Sequence, residues 1–409
     1  MTVDIYAPTS QDMLSLEELQ LYQLIMDYRT KNGLSEIPLS GDLTLVAGRH
    51  SLDTTENIWA AGLNLPEGAN LHSWSDVFYY GDHRNAEAMW ETPERLGTDY
   101  PGYGFEISGA GYSGIEAALV GWQTSPGHDA VILNQGIWAD TEWNAIGVGV
   151  ETDGSTGSTF GGRIYHVWFG REVDTKTPQI LGTDAGELIT GTDFIDRLLA
   201  GGGDDTVMAG DGADTINGGD GADVLYGGVT AEDLRDVIFG GAGNDGIEGG
   251  YGNDALRGDS GDDTIGGGFG ADTVIGGDGD DRLSGGAFGD LLFGSDGDDF
   301  MNGGFGSDLL NGGNGADEFF HIGITNHGSD WIQDYDAAQG DVLVFGDEDA
   351  TGAQFQINEA MTEGAGADDV SEAFVIYRPT SQIMWALVDG SGQEEINLRI
   401  GGDVFDLTL

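Results

Sequence analysis

Fourteen aspartates stand in one register, nine residues apart: Asp196, Asp205, Asp214 and Asp223, then, after a four-residue insertion, Asp236, Asp245, Asp254, Asp263, Asp272, Asp281, Asp290, Asp299, Asp308 and Asp317. Regularly spaced carboxylates in a stretch with no cysteine and almost no histidine offer hard oxygen donors and nothing softer. Such a set selects calcium over zinc or copper. Magnesium fits less well, because it demands a strict octahedron at shorter distances and holds on to its waters.

The elements that must position these acids follow from what surrounds them. Two residues after each aspartate comes an apolar side chain: Leu198, Val207, Ile216, Leu225, Ile238, Ile247, Leu256, Ile265, Val274, Leu283, Leu292, Met301, Leu310 and Phe319. Glycines fill most of the preceding positions, as in Gly249-Gly250-Tyr251-Gly252-Asn253-Asp254-Ala255-Leu256-Arg257. Glycine permits the left-handed dihedrals of a tight turn, so each period divides into a six-residue turn and a three-residue strand whose central residue points inward. Two periods make one coil of a flattened solenoid with strands stacked at about 4.8 Å and a thin apolar core. The carboxylates stack as well. Unit charges roughly 5 Å apart repel by about 3 kcal/mol at an effective dielectric of 20, so a bare column should not stay folded, and a cation removes the problem. A disordered Gly/Asp tract would not keep its apolar residues in register. Collagen lacks the period, and an EF-hand lacks this acidic spacing.

The pattern Gly-Gly-x-Gly-x-Asp-x-apolar-x resembles the calcium-binding repeat of RTX proteins. The resemblance implies a parallel β-roll in which each ion lies between a turn and the equivalent turn one coil later, with roughly eight to twelve ions in all. Phe288 replaces the third glycine before Asp290, and Leu234 stands in that place before Asp236. These two turns are the candidates to lack an ion. The family implies export from a Gram-negative bacterium through type I secretion machinery on an uncleaved C-terminal signal. The stretch from Asp330 to Phe345, which opens Asp330-Trp331-Ile332-Gln333-Asp334-Tyr335-Asp336, resembles the segment that closes such rolls, and the final Asp403-Val404-Phe405-Asp406-Leu407-Thr408-Leu409 is compatible with the signal. Low cytosolic and millimolar external calcium would keep the chain unfolded until it is outside.

Composition agrees with that reading. There are 72 acidic against 14 basic residues in 409, a net charge of -58, which speaks against nucleic acid and anionic membranes as partners. No cysteine is present, so stabilisation outside the cell would fall to the metal. The first ten residues have neither a basic flank nor an apolar core and do not read as a signal peptide. No apolar run is long enough to span a bilayer.

Residues 1–172 read as a separate α+β domain, followed by a linker at 173–185, the roll at 186–320, and a closing β cap with the secretion signal at 321–409. A capping box, Ser15-Leu16-Glu17-Glu18, opens a first helix with Leu16, Leu19, Tyr22, Ile25 and Met26 on one face, and a second helix is expected from about Gly41 to Ala60. Ile146 to Val150 and Arg163 to Phe169 alternate as strands joined by a Gly/Ser-rich loop.

Several motifs here resemble the CAP superfamily of cysteine-rich secretory, antigen 5 and pathogenesis-related 1 proteins. They are Asn32-Gly33-Leu34, Pro38-Leu39, Ala47-Gly48-Arg49-His50-Ser51-Leu52-Asp53, Leu71-His72-Ser73, Gly104-Phe105-Glu106-Ile107, Gly121-Trp122-Gln123-Thr124-Ser125-Pro126-Gly127-His128 and Ile146-Gly147-Val148-Gly149. The resemblance implies a three-layer α-β-α sandwich with a surface cleft lined by His72, Glu106 and His128. Two imidazoles and a carboxylate could make an open zinc site. A fourth acid that eukaryotic members carry after the tryptophan is absent, Gln123, Thr124 and Ser125 standing there. Glu116 reads as a solvated face residue, His50 as a hydrogen-bonded, partly buried histidine, and His83 as exposed in a loop.

No Gly-x-Ser-x-Gly elbow, catalytic cysteine or His-Glu-x-x-His helix is present, so no catalytic residue is assigned firmly. The leading expectation is a secreted calcium-folded protein presenting a CAP-like domain that binds an extracellular lipid, glycan or protein. A structural or adhesive surface protein, and a hydrolase using His72, Glu106 and His128, are the alternatives.

Overall fold

A computed structural model describes residues 3–152, 163–324, 327–367 and 370–409. The chain divides into two compact units, residues 1–181 and 182–409.

In the first unit, helix α1 (Leu16–Lys31) begins on the capping box, with Ser15 and Glu18 satisfying each other's backbone N–H groups. Glu18 is buried and also accepts the Val150 N–H at 2.8 Å, which ties the helix start to a strand; burial pushes its carboxyl up to about 7. Helix α2 (Gly41–Leu52) continues as wider, π-type turns over Asp53–Ala60, so the single helix expected there is an α-helix with a loosened end. Asp53, at the junction, is buried and accepts both the backbone N–H and the hydroxyl of Ser75 at 2.6 Å. Three antiparallel strands form the sheet, Arg163–Gly170 lying between Gly104–Ala110 and Ala145–Thr152. A Cβ on Gly147 or Gly149 would sit 2.1 Å or 2.3 Å from the α2 backbone, so these alternating glycines let helix and strand touch main chain to main chain. Shorter helices at Ile115–Gln123 and Pro126–Ile132 complete a mixed helix-and-sheet unit. The polar stretch read as a linker folds back in part, since Gln179–Leu181 pairs in parallel with Leu14–Ser15. The Gly/Ser-rich loop lies outside the described residues.

The second unit is a parallel β-solenoid. Successive strands alternate between two sheets and pair with the strand one coil later, Ala255–Ser260 with Thr273–Asp278 on one face and Thr264–Phe269 with Arg282–Ala287 on the other. All fourteen apolar residues of the register are buried, at 0–1% exposure. The strands Leu188–Thr190, Thr206–Met208 and Val224–Tyr226 keep to three residues, whereas pairing between most of the others spans six. Leu256 and Arg257 pair, Gly258 is skipped, and Asp259 and Ser260 pair again. Positive φ recurs at the second and fourth motif positions, as in Gly268 (104°) and Gly270 (143°), which is why glycine dominates there. Asp259, Phe288 and Ser295 hold the same backbone against their preference, at φ 74°, 92° and 96°. At the far end, the antiparallel strands Phe355–Ala360, Glu372–Tyr377 and Gln382–Leu387 extend one sheet, and Asn397–Ile400 with Asp403–Asp406 extends the other. Phe345, Phe355, Tyr377 and Trp385 pack together there as an aromatic plug.

Candidate functional site

Every aspartate of the register is buried, at 0–3% exposure. Their two oxygens do different work. From Asp196 to Asp299, each backbone N–H donates to Oδ1 of the aspartate one coil later, at 2.8–3.0 Å. Oδ2 of Asp205, Asp214, Asp223, Asp236, Asp245, Asp254, Asp263, Asp272, Asp281, Asp290, Asp299 and Asp308 is buried with no hydrogen-bond partner among the described residues. Asp196 differs, because the Thr192 backbone and hydroxyl cap its Oδ2 at 2.6 Å and 2.9 Å.

In every turn with a free oxygen except those of Asp205 and Asp214, which have Ala200 and Ala209 at the first position, a leading glycine explains where that oxygen points. A Cβ on Gly240 would lie 2.4 Å from Asp245 Oδ2 and 2.7 Å from the Gly258 carbonyl; on Gly267, 2.5 Å from Asp272 Oδ2 and 2.5 Å from the Gly285 carbonyl. The missing side chain therefore leaves a cradle faced by a carboxylate oxygen and a carbonyl from the next coil. Those are calcium's preferred donors, and a buried anionic oxygen without a partner is costly until a cation meets it. Burial, and after it the neighbouring aspartates, pushes the carboxyls of Asp245, Asp281, Asp290, Asp299 and Asp317 up to about 7 and that of Asp236 to about 8. The turns with Phe288 and Leu234 keep this geometry: Asp290 and Asp236 each present a buried, unpartnered Oδ2.

Four further acids belong to these columns: Glu187, nine residues before Asp196, and three outside the count. Glu187 donates its N–H to Asp205 Oδ1 at 2.7 Å, and Asp341 Oδ1 accepts the Asp317 N–H at 3.1 Å. Asp330 is buried with Oδ1 unpartnered and opens the strand paired with Leu309–Asn314. Asp233, in the insertion, is the fourth, 7% exposed with Oδ2 unpartnered. For three of them the legible signal is an apolar residue two positions on: Ile189 after Glu187, in register but with glutamate for aspartate, and Ile332 and Leu343 once the count of nine is relaxed.

In the first unit, Glu106 sits at the centre of a histidine cluster. Its Oε1 meets His50 Nδ1 at 2.7 Å and contacts His166 Nδ1; its Oε2 meets His72 Nδ1 at 2.8 Å. The ligand atoms of His50, Glu106 and His166 all lie within 4.8 Å of one another. His50 Nε2 faces the Ser73 carbonyl at 3.1 Å. Both His50 nitrogens thus face oxygens that accept. The ring stacks between Trp74 at 4.2 Å and His166 at 3.9 Å. Burial alone would raise the Glu106 carboxyl, but the three imidazoles hold it well below its ordinary range. Burial, then His50, lowers His166 to about 4, which leaves it neutral. His128 is lowered by burial and then by His72, and its Nδ1 is buried without a partner. His72 and Glu106, named from separate motifs, are thus in contact. His50 and His166, which the motifs left outside the site, take up the other carboxylate oxygen. Glu116 is exposed, and His83 is exposed and bonded to the Tyr79 hydroxyl at 2.5 Å.

A solenoid with a cation-ready carboxylate column along its turns defines a calcium-binding β-roll. Residues 181–216, 200–229, 230–265, 257–292 and 284–319 match the family of the RTX calcium-binding nonapeptide repeat (4 copies). No curated protein matches the chain. No helix among the described residues is long and apolar enough to cross a membrane.

Proposed function

We propose that the chain is a secreted bacterial protein whose roll folds when it meets extracellular calcium and presents a CAP-like N-terminal domain to an extracellular ligand. The observation that carries the calcium step is the row of twelve buried Asp Oδ2 atoms with no hydrogen-bond partner among the described residues, ten of them facing a glycine cradle. Such a column is self-repelling without a divalent cation and ordered with one, so export of an unfolded chain and folding outside follow from the calcium difference across the envelope. Titration of chelated protein with calcium, followed by far-UV circular dichroism, tests this. A spectrum indifferent to chelator would sink the reading.

The N-terminal cleft is read as a binding site centred on His72 and His128. Glu106 receives the His72 Nδ1 proton, which leaves Nε2 of a partly exposed ring free to accept. This is the carboxylate–histidine arrangement that orients a zinc ligand, with Glu106 behind the ligand rather than on the metal. The same pair could serve a hydrolase as an oriented base, which is the second reading. Zinc titration calorimetry on the full chain and its His72→Ala and His128→Ala variants separates them. Binding abolished by both changes supports a metal cleft; heat unchanged by either removes it and leaves an adhesive or ligand-binding surface.

A further inference from the structure

One of the two turns that depart from the glycine motif buries one carboxylate more than its neighbours. Residues 229–232 are extra, and they leave Asp233 at the third motif position, where Asp220, Asp278 and Asp296 stand in ordinary turns. Those three are exposed, but Asp233 is 7% exposed. The insertion rolls it inward. Its Oδ1 accepts the Gly212 N–H at 3.2 Å and the Leu234 N–H at 2.9 Å, while Oδ2 is buried and unpartnered. That carboxyl lies over Gly228, where a Cβ would meet Oδ2 at 1.9 Å; on the adjacent Gly227, a Cβ would meet Asp236 Oδ2 at 2.2 Å and the Gly249 carbonyl at 2.5 Å. Asp214, one coil earlier, adds another buried, unpartnered Oδ2. The loop above is tied down through the Thr230 hydroxyl, 2.8 Å from both oxygens of Asp211.

We propose that the inserted turn is a dedicated calcium site in which Asp233 joins Asp236 and Asp214, one carboxylate more than an ordinary turn offers, and that it holds the most tightly bound ion of the roll. Calcium affinity follows the number of anionic ligands and the rigidity of the site, and this turn has more of the former without losing backbone anchoring. The inference rests on the reading of the ladder as calcium sites. It adds that the insertion is a specialised ligand loop rather than a gap in the ladder.

The test counts ions retained by the full chain in chelator-buffered calcium, by native mass spectrometry. Wild type should keep one ion at free calcium where Asp233→Asn has lost it, a shift of about tenfold or more in the tightest class. Asp278→Asn, which removes an exposed acid from the same motif position, should match wild type. Should Asp233→Asn fail to fold at saturating calcium, deletion of residues 229–232 restores a regular turn and should lose the same ion. An unchanged tightest class in the folded variant overturns the proposal and leaves the calcium ladder standing. A wild type that retains no calcium overturns both.

Discussion

Removing calcium should reverse the pH dependence of the roll. Asp214, Asp245, Asp254, Asp281, Asp290, Asp299 and Asp317 are all pushed up to about 7, by burial first and then by their neighbours in the column. A carboxyl raised in the folded state favours folding while protonated. Its contribution is fully present below the unfolded value near 4 and is lost as pH rises through about 7. Each such carboxyl disfavours the ionised fold by roughly 4 kcal/mol at about 1.4 kcal/mol per tenfold, or about 2 kcal/mol after halving for solvent and relaxation. Seven together come to on the order of 15 kcal/mol, the entire stability of a typical domain. Chelated, calcium-free protein should therefore be β-rich near pH 4.5 and largely unfolded at pH 8, whereas calcium-loaded protein should be stable at pH 8 and lose its ions as the acids protonate. Urea midpoints by circular dichroism at both pH values, with and without calcium, decide this. A chelated protein as stable at pH 8 as at pH 4.5 would refute the electrostatic reasoning.

Asp254→Asn should raise the urea midpoint of the chelated roll at pH 8 and lower that of the calcium-loaded roll, because it removes one buried charge and one ligand together. Gly267→Ala places a methyl group 2.5 Å from both Asp272 Oδ2 and the Gly285 carbonyl, so it should cost an ion in the mass-spectrometric count and destabilise the loaded roll by about 1–3 kcal/mol. Glu106→Gln removes the buried carboxylate that His50, His72 and His166 share. It should destabilise the first unit by about 3–5 kcal/mol in denaturant titration.

Sequence made the roll legible because its determinants are local: an apolar residue two after each aspartate sets which side faces the core, and glycine sets the turn. Where an insertion interrupts the count, the same local signal survives in Asp330-Trp331-Ile332 and Asp341-Val342-Leu343, but a strict period of nine passes over it. Asp233 was not legible at all, since its inward turn depends on how four extra residues arch over Asp211. The histidine cluster is intermediate. Motifs singled out His72, Glu106 and His128, yet His166 reaches Glu106 only because the strand Arg163–Gly170 is paired with Gly104–Ala110, and His50 only because α2 lies on the sheet. Those are contacts between distant segments, which no local pattern encodes.

The hydrogen bond from each aspartate N–H to the carboxylate one coil later has a direction, and direction gives the roll a beginning and an end. No coil can satisfy its own turn; it depends on its successor. For Asp317 the successor is Asp341, beyond the last regular repeat and inside the closing segment. A chain stopped where the nine-residue count stops, after residue 320, would keep all fourteen register aspartates and still leave the last turn open. The closing segment is therefore the terminal piece of the ion-binding array itself, and cooperativity should spread through the coils backwards along the sequence, from that piece toward the first repeat.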